Sequence, residues 1–338
     1  MKRYLVAAFV CVLILSGCSG LSKIEPDSND ASSSNKDESV GTGSADVEET
    51  KDNSDVNQTE PSGETDDQTI EPEVNEEEVE NEIREELVDT LFVDQFSSYE
   101  AYTLEAKISE LDNTETSWSF KRNETHDPVT GYYDVDLTLF GSYFIKDTEE
   151  KVLYLTFDEG YEEGYTGTIL DVLKENNVKA TFFITGHYLD TDLDLVQRMI
   201  DEGHTVANHT EKHPSMPTLS DEEIYNEISS LANRYQDLTG QEMAPFFRAP
   251  SGKYSERSLY LTRKLGYRTI FWSMAYKDWD TDDQPGRDAA YDHVLTNYHN
   301  GAIILLHAVS ESNTLALDDI LKDLKALGYR FGSLYELE

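Results

Sequence analysis

From residue 151 onward, short apolar runs alternate with stretches whose apolar residues recur every three or four positions, the marks of strands and of amphipathic helices. Strands are predicted at about 151–157, 179–184, 204–208, 245–248, 268–273, 302–307 and 329–333. Helices are predicted at about 165–176, 191–202, 220–238, 255–265, 286–299 and 314–327. Gly203, Gly240, Gly266 and Gly328 stand at helix ends, where a left-handed residue closes the last turn. Ser220 with Glu223 makes a capping box for the third helix. This alternation predicts an α/β fold with a mainly parallel sheet. Seven such units point to a distorted (β/α) barrel of about seven strands, whose chemistry gathers at the C-terminal strand ends.

Upstream the pattern changes twice. Residues 91–148 are rich in aromatics, among them Phe92, Phe96, Tyr99, Tyr102, Trp118, Phe120 and Phe144, and read as a lead-in segment packing on the barrel domain at 149–338. Residues 18–90 are Asp, Glu, Ser, Asn, Thr and Pro with hardly an aromatic. Such a stretch buries too little apolar surface to offset its ordering entropy, so it reads as a disordered acidic tether ending in a short acidic helix near Val79 to Leu91. A coil of roughly 70 residues spans about 45 Å. At the start, Lys2 and Arg3 precede an apolar run from Tyr4 to Leu15, too short for a hydrocarbon layer of about 30 Å. The run ends in Leu15-Ser16-Gly17-Cys18, the form of a lipoprotein signal peptide over 1–17, with lipidation at Cys18 after cleavage.

Charge narrows the partners. The 338 residues carry a formal net charge of -41, and no basic face is available to neutralise phosphates, so nucleic acid is excluded. Membrane contact is then through the lipid anchor only, with the protein exported and extracytoplasmic. Of two cysteines, Cys11 leaves with the signal and Cys18 is acylated, so the fold stands without a disulfide.

The candidate chemistry sits at strand ends. Val152-Leu153-Tyr154-Leu155 runs into Thr156-Phe157-Asp158-Glu159-Gly160, and two carboxylates ending an apolar strand need a partner or a metal. The third strand runs into Asn208-His209-Thr210-Glu211-Lys212-His213. Histidines four apart in a helical turn or tight loop can face one divalent ion; with one of the two carboxylates they form a three-ligand set with an open position, the pattern of catalytic zinc. The fourth strand ends in Phe247-Arg248-Ala249-Pro250-Ser251-Gly252, placing a guanidinium fork able to hold a carboxylate bidentately. The fifth leads to Lys277-Asp278-Trp279 and the sixth ends at Leu305-Leu306-His307.

This ordered series resembles the five motifs of the polysaccharide deacetylases with the NodB homology domain, carbohydrate esterase family 4. Ser117-Trp118-Ser119-Phe120-Lys121-Arg122, Gly160-Tyr161-Glu162-Glu163-Gly164-Tyr165, Tyr291-Asp292-His293 and the stretch from Ala316 to Leu321 are similar to the branch that makes the delta-lactam of muramic acid in spore peptidoglycan. The resemblance implies Asp158 as general base, Arg248 orienting it, His307 as general acid tuned by Asp278, and the Ser251 backbone N–H as oxyanion donor. It places one divalent ion, zinc, on Glu159, His209 and His213. Polarised carbonyl, activated water and a proton for the leaving amine are what amide hydrolysis requires.

Two positions depart from the pattern: Glu159 stands where the family has a second aspartate, and Ser251 where many members have an aromatic residue. Tyr161, Tyr165, Trp272 and Trp279 are candidates for stacking on sugars, of which one or two are expected to do so. Lys253 is a candidate for the lactyl carboxylate of muramic acid. His187, His204, His293 and His299 match no catalytic motif and read as structural or surface residues. The sequence thus implies a metal-dependent de-N-acetylase acting on N-acetylmuramic acid in a peptidoglycan glycan strand. The rivals are deacetylation of N-acetylglucosamine and a wall-binding lipoprotein without turnover.

Overall fold

Each apolar run becomes a strand of one parallel sheet: β1 (Val152–Glu159), β2 (Thr181–Ile184), β3 (Thr205–Asn208), β4 (Phe246–Phe247), β5 (Arg268–Thr269), β6 (Ala302–His307) and β7 (Arg330–Phe331). This computed structural model describes residues 75–91, 107–123 and 125–337. The signal segment, Cys18, the tether up to residue 74 and the aromatics Phe92, Phe96, Tyr99 and Tyr102 lie outside the described residues.

The strand order is β6-β1-β2-β3-β4-β5, with β7 pairing the start of β1. β4 and β5 keep only two residues each in the ladder, shorter than the sequence predicts, because the chain after Thr269 turns to other partners. The Ser273 N–H donates to the Ile303 carbonyl at 3.0 Å and the Leu305 N–H to the Met274 carbonyl at 2.9 Å. These bonds carry the sheet from β5 to β6 and curl it into a distorted barrel. Lower down, the lead-in chain fills the same gap. The Tyr143 N–H donates to Thr269 at 2.9 Å, the Phe271 N–H to Tyr143 at 2.7 Å and the Lys146 N–H to Gly301 at 2.9 Å. Gly301 has φ +71°, and a Cβ there would lie 1.9 Å from the Lys146 carbonyl, so this closure requires glycine.

The helices are α1 (Glu76–Leu91), α2 (Thr166–Glu175), α3 (Gly186–Thr191), α4 (Leu193–Asp201), α5 (Asp221–Thr239), α6 (Glu256–Lys264), α7 (Arg287–Asn297) and α8 (Glu311–Ala326). The Ser220–Glu223 capping box and a left-handed Gly240 bound α5 as predicted. α3 is an unpredicted extra turn, capped by the Thr185 hydroxyl, and α8 starts three residues early because Ser310 caps it. The acidic stretch is ordered from Glu76, where the tether was expected to run to residue 90. Val88 is buried in a cluster with Ile108, Ile224 and Ile228, and Arg84 pairs with Asp221, its Nη2 donating to Oδ1 at 3.0 Å. This apolar contact, the Arg84 pair and a second pair from Lys264 to Asp89 at 2.6 Å thus dock the short acidic helix expected near Val79 to Leu91, which spans Glu76–Leu91.

Period-two alternation sorts β1 between two environments. Leu153, Leu155 and Phe157 pack under the helix layer with Ile169, Leu173 and Leu321, while Val152 and Tyr154 face the barrel interior with Phe183, Phe246 and Ile303. That alternation sends Asp158 inward and Glu159 outward.

Candidate active site

Asp158 stands at the inward end of β1, buried, with Arg248 Nη1 donating to its Oδ1 at 2.7 Å. Arg248 is itself wholly buried, its Nε donating to the Ile270 carbonyl at 3.0 Å and its guanidinium 4.1 Å from the centre of the Phe183 ring. The grip is single, through Nη1, rather than the bidentate one predicted, and Nη2 has no partner among the described residues. Burial alone would raise the Asp158 pKa, but Arg248, His209 and His307 together hold it below the ordinary carboxylate range. Asp158 is therefore ionised at neutral pH, the state a general base needs.

His209 follows β3 on a tight loop rather than a helical turn. The loop is bent through left-handed Thr210 (φ 70°) and His213 (φ 60°), backbone strain of the kind concentrated at functional sites. Thr210 Oγ1 accepts from the His213 N–H at 2.8 Å and Asn208 Oδ1 from the Thr210 N–H at 2.9 Å. His209 Nδ1 donates to the Arg248 carbonyl at 2.8 Å. A carbonyl only accepts, and burial lowers the His209 pKa to about 4, so the ring is neutral and Nε2 carries a lone pair. That lone pair lies 3.6 Å from Asp158 Oδ2. His213, at the exposed rim, meets His209 edge to face with ring centres 4.8 Å apart, and desolvation lowers its pKa as well.

On the neighbouring strand His307 is the register partner of Asp158. Its Nδ1 donates to Asp278 Oδ1 at 2.7 Å and its backbone N–H to Asp278 Oδ2 at 2.8 Å. Asp278 also accepts from Asn313 Nδ2 at 2.6 Å. Burial would lower the His307 pKa, but Asp278, with Asp158 adding to it, raises it. An ionised carboxylate and a proton-holding imidazole thus stand side by side. Asn313 escapes sequence reasoning; its one signal is a polar residue in the first turn of the helix that follows His307.

Two expectations are corrected. Glu159 does not join His209 and His213: its Oε2 is 3.4 Å from the Thr166 hydroxyl on the outer face of β1, and Oε1 has no partner among the described residues. Burial, then Glu162 and Asp158, pushes its carboxyl well above the ordinary range. Lys253 does not reach the cleft, since it pairs with Glu115 at 2.8 Å. His209, with Nε2 toward Asp158, and His213 beside it are suitable donors for a divalent ion. Among the described residues, however, no group of three or more His, Cys, Asp or Glu side chains is arranged to hold one.

Asp158, His209, His213 and His307 open into one cleft of about 830 Å³, also lined by Tyr161, Trp279 and Ser251. Tyr161 and Trp279 are exposed, and the Trp279 ring lies 5.6 Å from that of His307. Ser251 is left-handed at φ 54°. His187, read from sequence as structural or surface, also borders the cleft. So do Phe120 and Arg122 of the lead-in segment, which brings that segment into the site.

A strand-end carboxylate held by arginine, a histidine pair and an Asp-backed histidine on a distorted barrel define a polysaccharide deacetylase. Residues 145–270 match that family, and the chain belongs to it, within carbohydrate esterase family 4. Its members hydrolyse amide bonds and are metalloenzymes. The peptidoglycan-N-acetylmuramic acid deacetylase PdaA of Bacillus subtilis is 41% identical over 234 residues, 69% of this chain and 89% of that protein. The solved structure of Bacillus subtilis PdaA, a family 4 carbohydrate esterase, matches with a TM-score of 0.65, covering 67% of this chain and 98% of that one. A 30.6 kDa protein of Geobacillus stearothermophilus is 47% identical over 229 residues, 67% of this chain and 86% of its own length.

Proposed function

We propose that this protein removes the acetyl group from N-acetylmuramic acid residues of peptidoglycan. One observation carries the reading: Asp158 and His307 are register partners on adjacent strands at one cleft, each fixed by a buried charge of its own. The 41% identity to a muramic acid deacetylase supports the choice of sugar.

In this reading Asp158 takes a proton from water as its oxygen attacks the acetyl carbonyl carbon. The Ser251 N–H, at the cleft wall, would donate to the oxyanion in this reading. When the C–N bond breaks, His307 gives its Nε2 proton to the departing amine, and acetate leaves with the oxygen from water. Arg248 keeps Asp158 oriented, and Asp278 holds the His307 Nδ1–H and favours the imidazolium, whose Nε2–H faces the cleft. His209 and His213 would hold the divalent ion, zinc in this reading. Bound there, it would supply Lewis-acid polarisation of the acetyl group. Trp279 and Tyr161 offer faces to the sugar rings. The freed amine and the lactyl carboxylate share one sugar, so a lactam can close between them with loss of water. Lipidation at Cys18 and the acidic tether would hold the enzyme outside the cytoplasmic membrane within reach of the wall.

Mass analysis of glycan fragments after treatment with the purified protein tests this. Acetyl loss from muramic acid residues is expected. Loss confined to N-acetylglucosamine would replace the sugar assignment, and binding without acetate release would favour the wall-binding rival.

A further inference from the structure

We propose that Arg122 is the residue that reads the acidic substituent of the sugar, so that selectivity for a carboxylate-bearing residue comes from the lead-in segment and not from the barrel. The inference rests on the muramic acid reading above. A chain with a formal net charge of -41 repels a carboxylate unless a local cation receives it. Three basic side chains, Arg122, Lys212 and Lys277, line the cleft. Lys277 is bound to Asp280 and Asp283 at 2.8 and 2.9 Å. The Lys212 ammonium already acts on the Glu227 carboxylate, which also accepts the Lys212 backbone N–H at 2.8 Å.

Arg122 differs from these. It follows the outgoing strand of the small antiparallel ladder in which Ser119–Lys121 pairs with Thr130–Tyr132, and it lines the cleft together with Phe120. Its Nη2 donates to the Ala275 carbonyl, and its guanidinium lies 5.8 Å from the centre of the Phe120 ring. Among the described residues no carboxylate pairs with it. One edge of the fork is therefore fixed by the backbone of the loop that leads to Asp278, and among the described residues the other N–H groups make no further hydrogen bond. A planar fork, always charged and already oriented, suits a carboxylate better than a lysine does. Asp158 and His209 line the same cleft, so a sugar presenting its acetamide to Asp158 can turn a neighbouring acidic group toward Arg122.

The test compares the wild-type full chain with Arg122→Gln and Arg122→Lys. The substrates are glycan oligomers whose N-acetylmuramic acid carries either a free lactyl carboxylate or the same group as its methyl amide. The wild type is expected to favour the free acid by KM. Arg122→Gln should raise KM for the acid on the order of tenfold to a hundredfold, the range of a lost charge-assisted pair, with kcat moved much less, so that the preference collapses toward one. Arg122→Lys should keep part of it. Equal losses on both substrates, or a preference that survives Arg122→Gln, would overturn the inference while leaving the muramic acid reading intact. Wild-type turnover of N-acetylglucosamine oligomers alone would remove both.

Discussion

Replacing Arg248 by methionine isolates the interaction on which the site is built. Both partners are buried, Arg248 completely and Asp158 nearly so, and the 2.7 Å bond between them is, among the described residues, the arginine's single bond to a carboxylate. Methionine fills similar space but leaves an uncompensated buried carboxylate, a change that costs about 3–5 kcal/mol. For a domain of this size each kcal/mol moves the melting temperature by about 2–4 °C, so a fall of roughly 6–20 °C is expected. The informative comparison is the double variant Asp158→Asn with Arg248→Met. Removing both charges eliminates the stranded carboxylate, so the double variant should recover at least half of the loss. Thermal denaturation followed by circular dichroism on wild type, both single variants and the double measures the coupling. If Arg248→Met costs less than about 1 kcal/mol, or the double variant shows the simple sum of the single losses, the pair does not hold Asp158 as described.

Three further outcomes follow from the same geometry. Asp278 raises the His307 pKa, so Asp278→Asn should let the imidazole lose its proton at lower pH. The alkaline limb of the kcat/KM profile then moves down in pH, within the 10²–10⁴-fold that a general acid contributes; a loss equal at every pH would reduce Asp278 to a scaffold. Metal analysis should show His209→Ala losing bound zinc. Glu159→Gln, whose side chain faces Thr166, should retain it, and zinc falling to the His209→Ala level would contradict the assigned direction of Glu159. Gly186→Ala should disturb the histidine loop, because a Cβ there would lie 2.6 Å from the Glu211 carbonyl oxygen. Reduced acetate release with a lowered melting temperature is expected, and a variant indistinguishable from wild type would show that the loop yields freely.

Much of the site was legible because apolar strands that stop on Asp158, Asn208, Arg248 and His307 can do so only where those groups find partners or a cleft. The direction of Glu159 was legible too, through the period-two rule applied from Tyr154, but the family resemblance assigns Glu159 to the metal with His209 and His213. Lys253 shows what sequence cannot supply: its partner Glu115 is far away along the chain. Docking of α1 through Arg84 and Val88 is of the same kind, since acidic composition hides a single buried contact. The short ladders of β4 and β5 depended on where Tyr143 inserts, a long-range event that propensity does not encode.

The central claim is that Asp158 and His307 act together on one amide bond. Acetate release from N-acetylmuramic acid oligomers by wild type, Asp158→Asn, His307→Ala and the double variant tests it most directly. Groups working as a unit are non-additive, so both single variants and the double should fall to a similar low residual rate. A single variant that keeps the wild-type rate, or a double whose loss is the product of the two single losses, would contradict it.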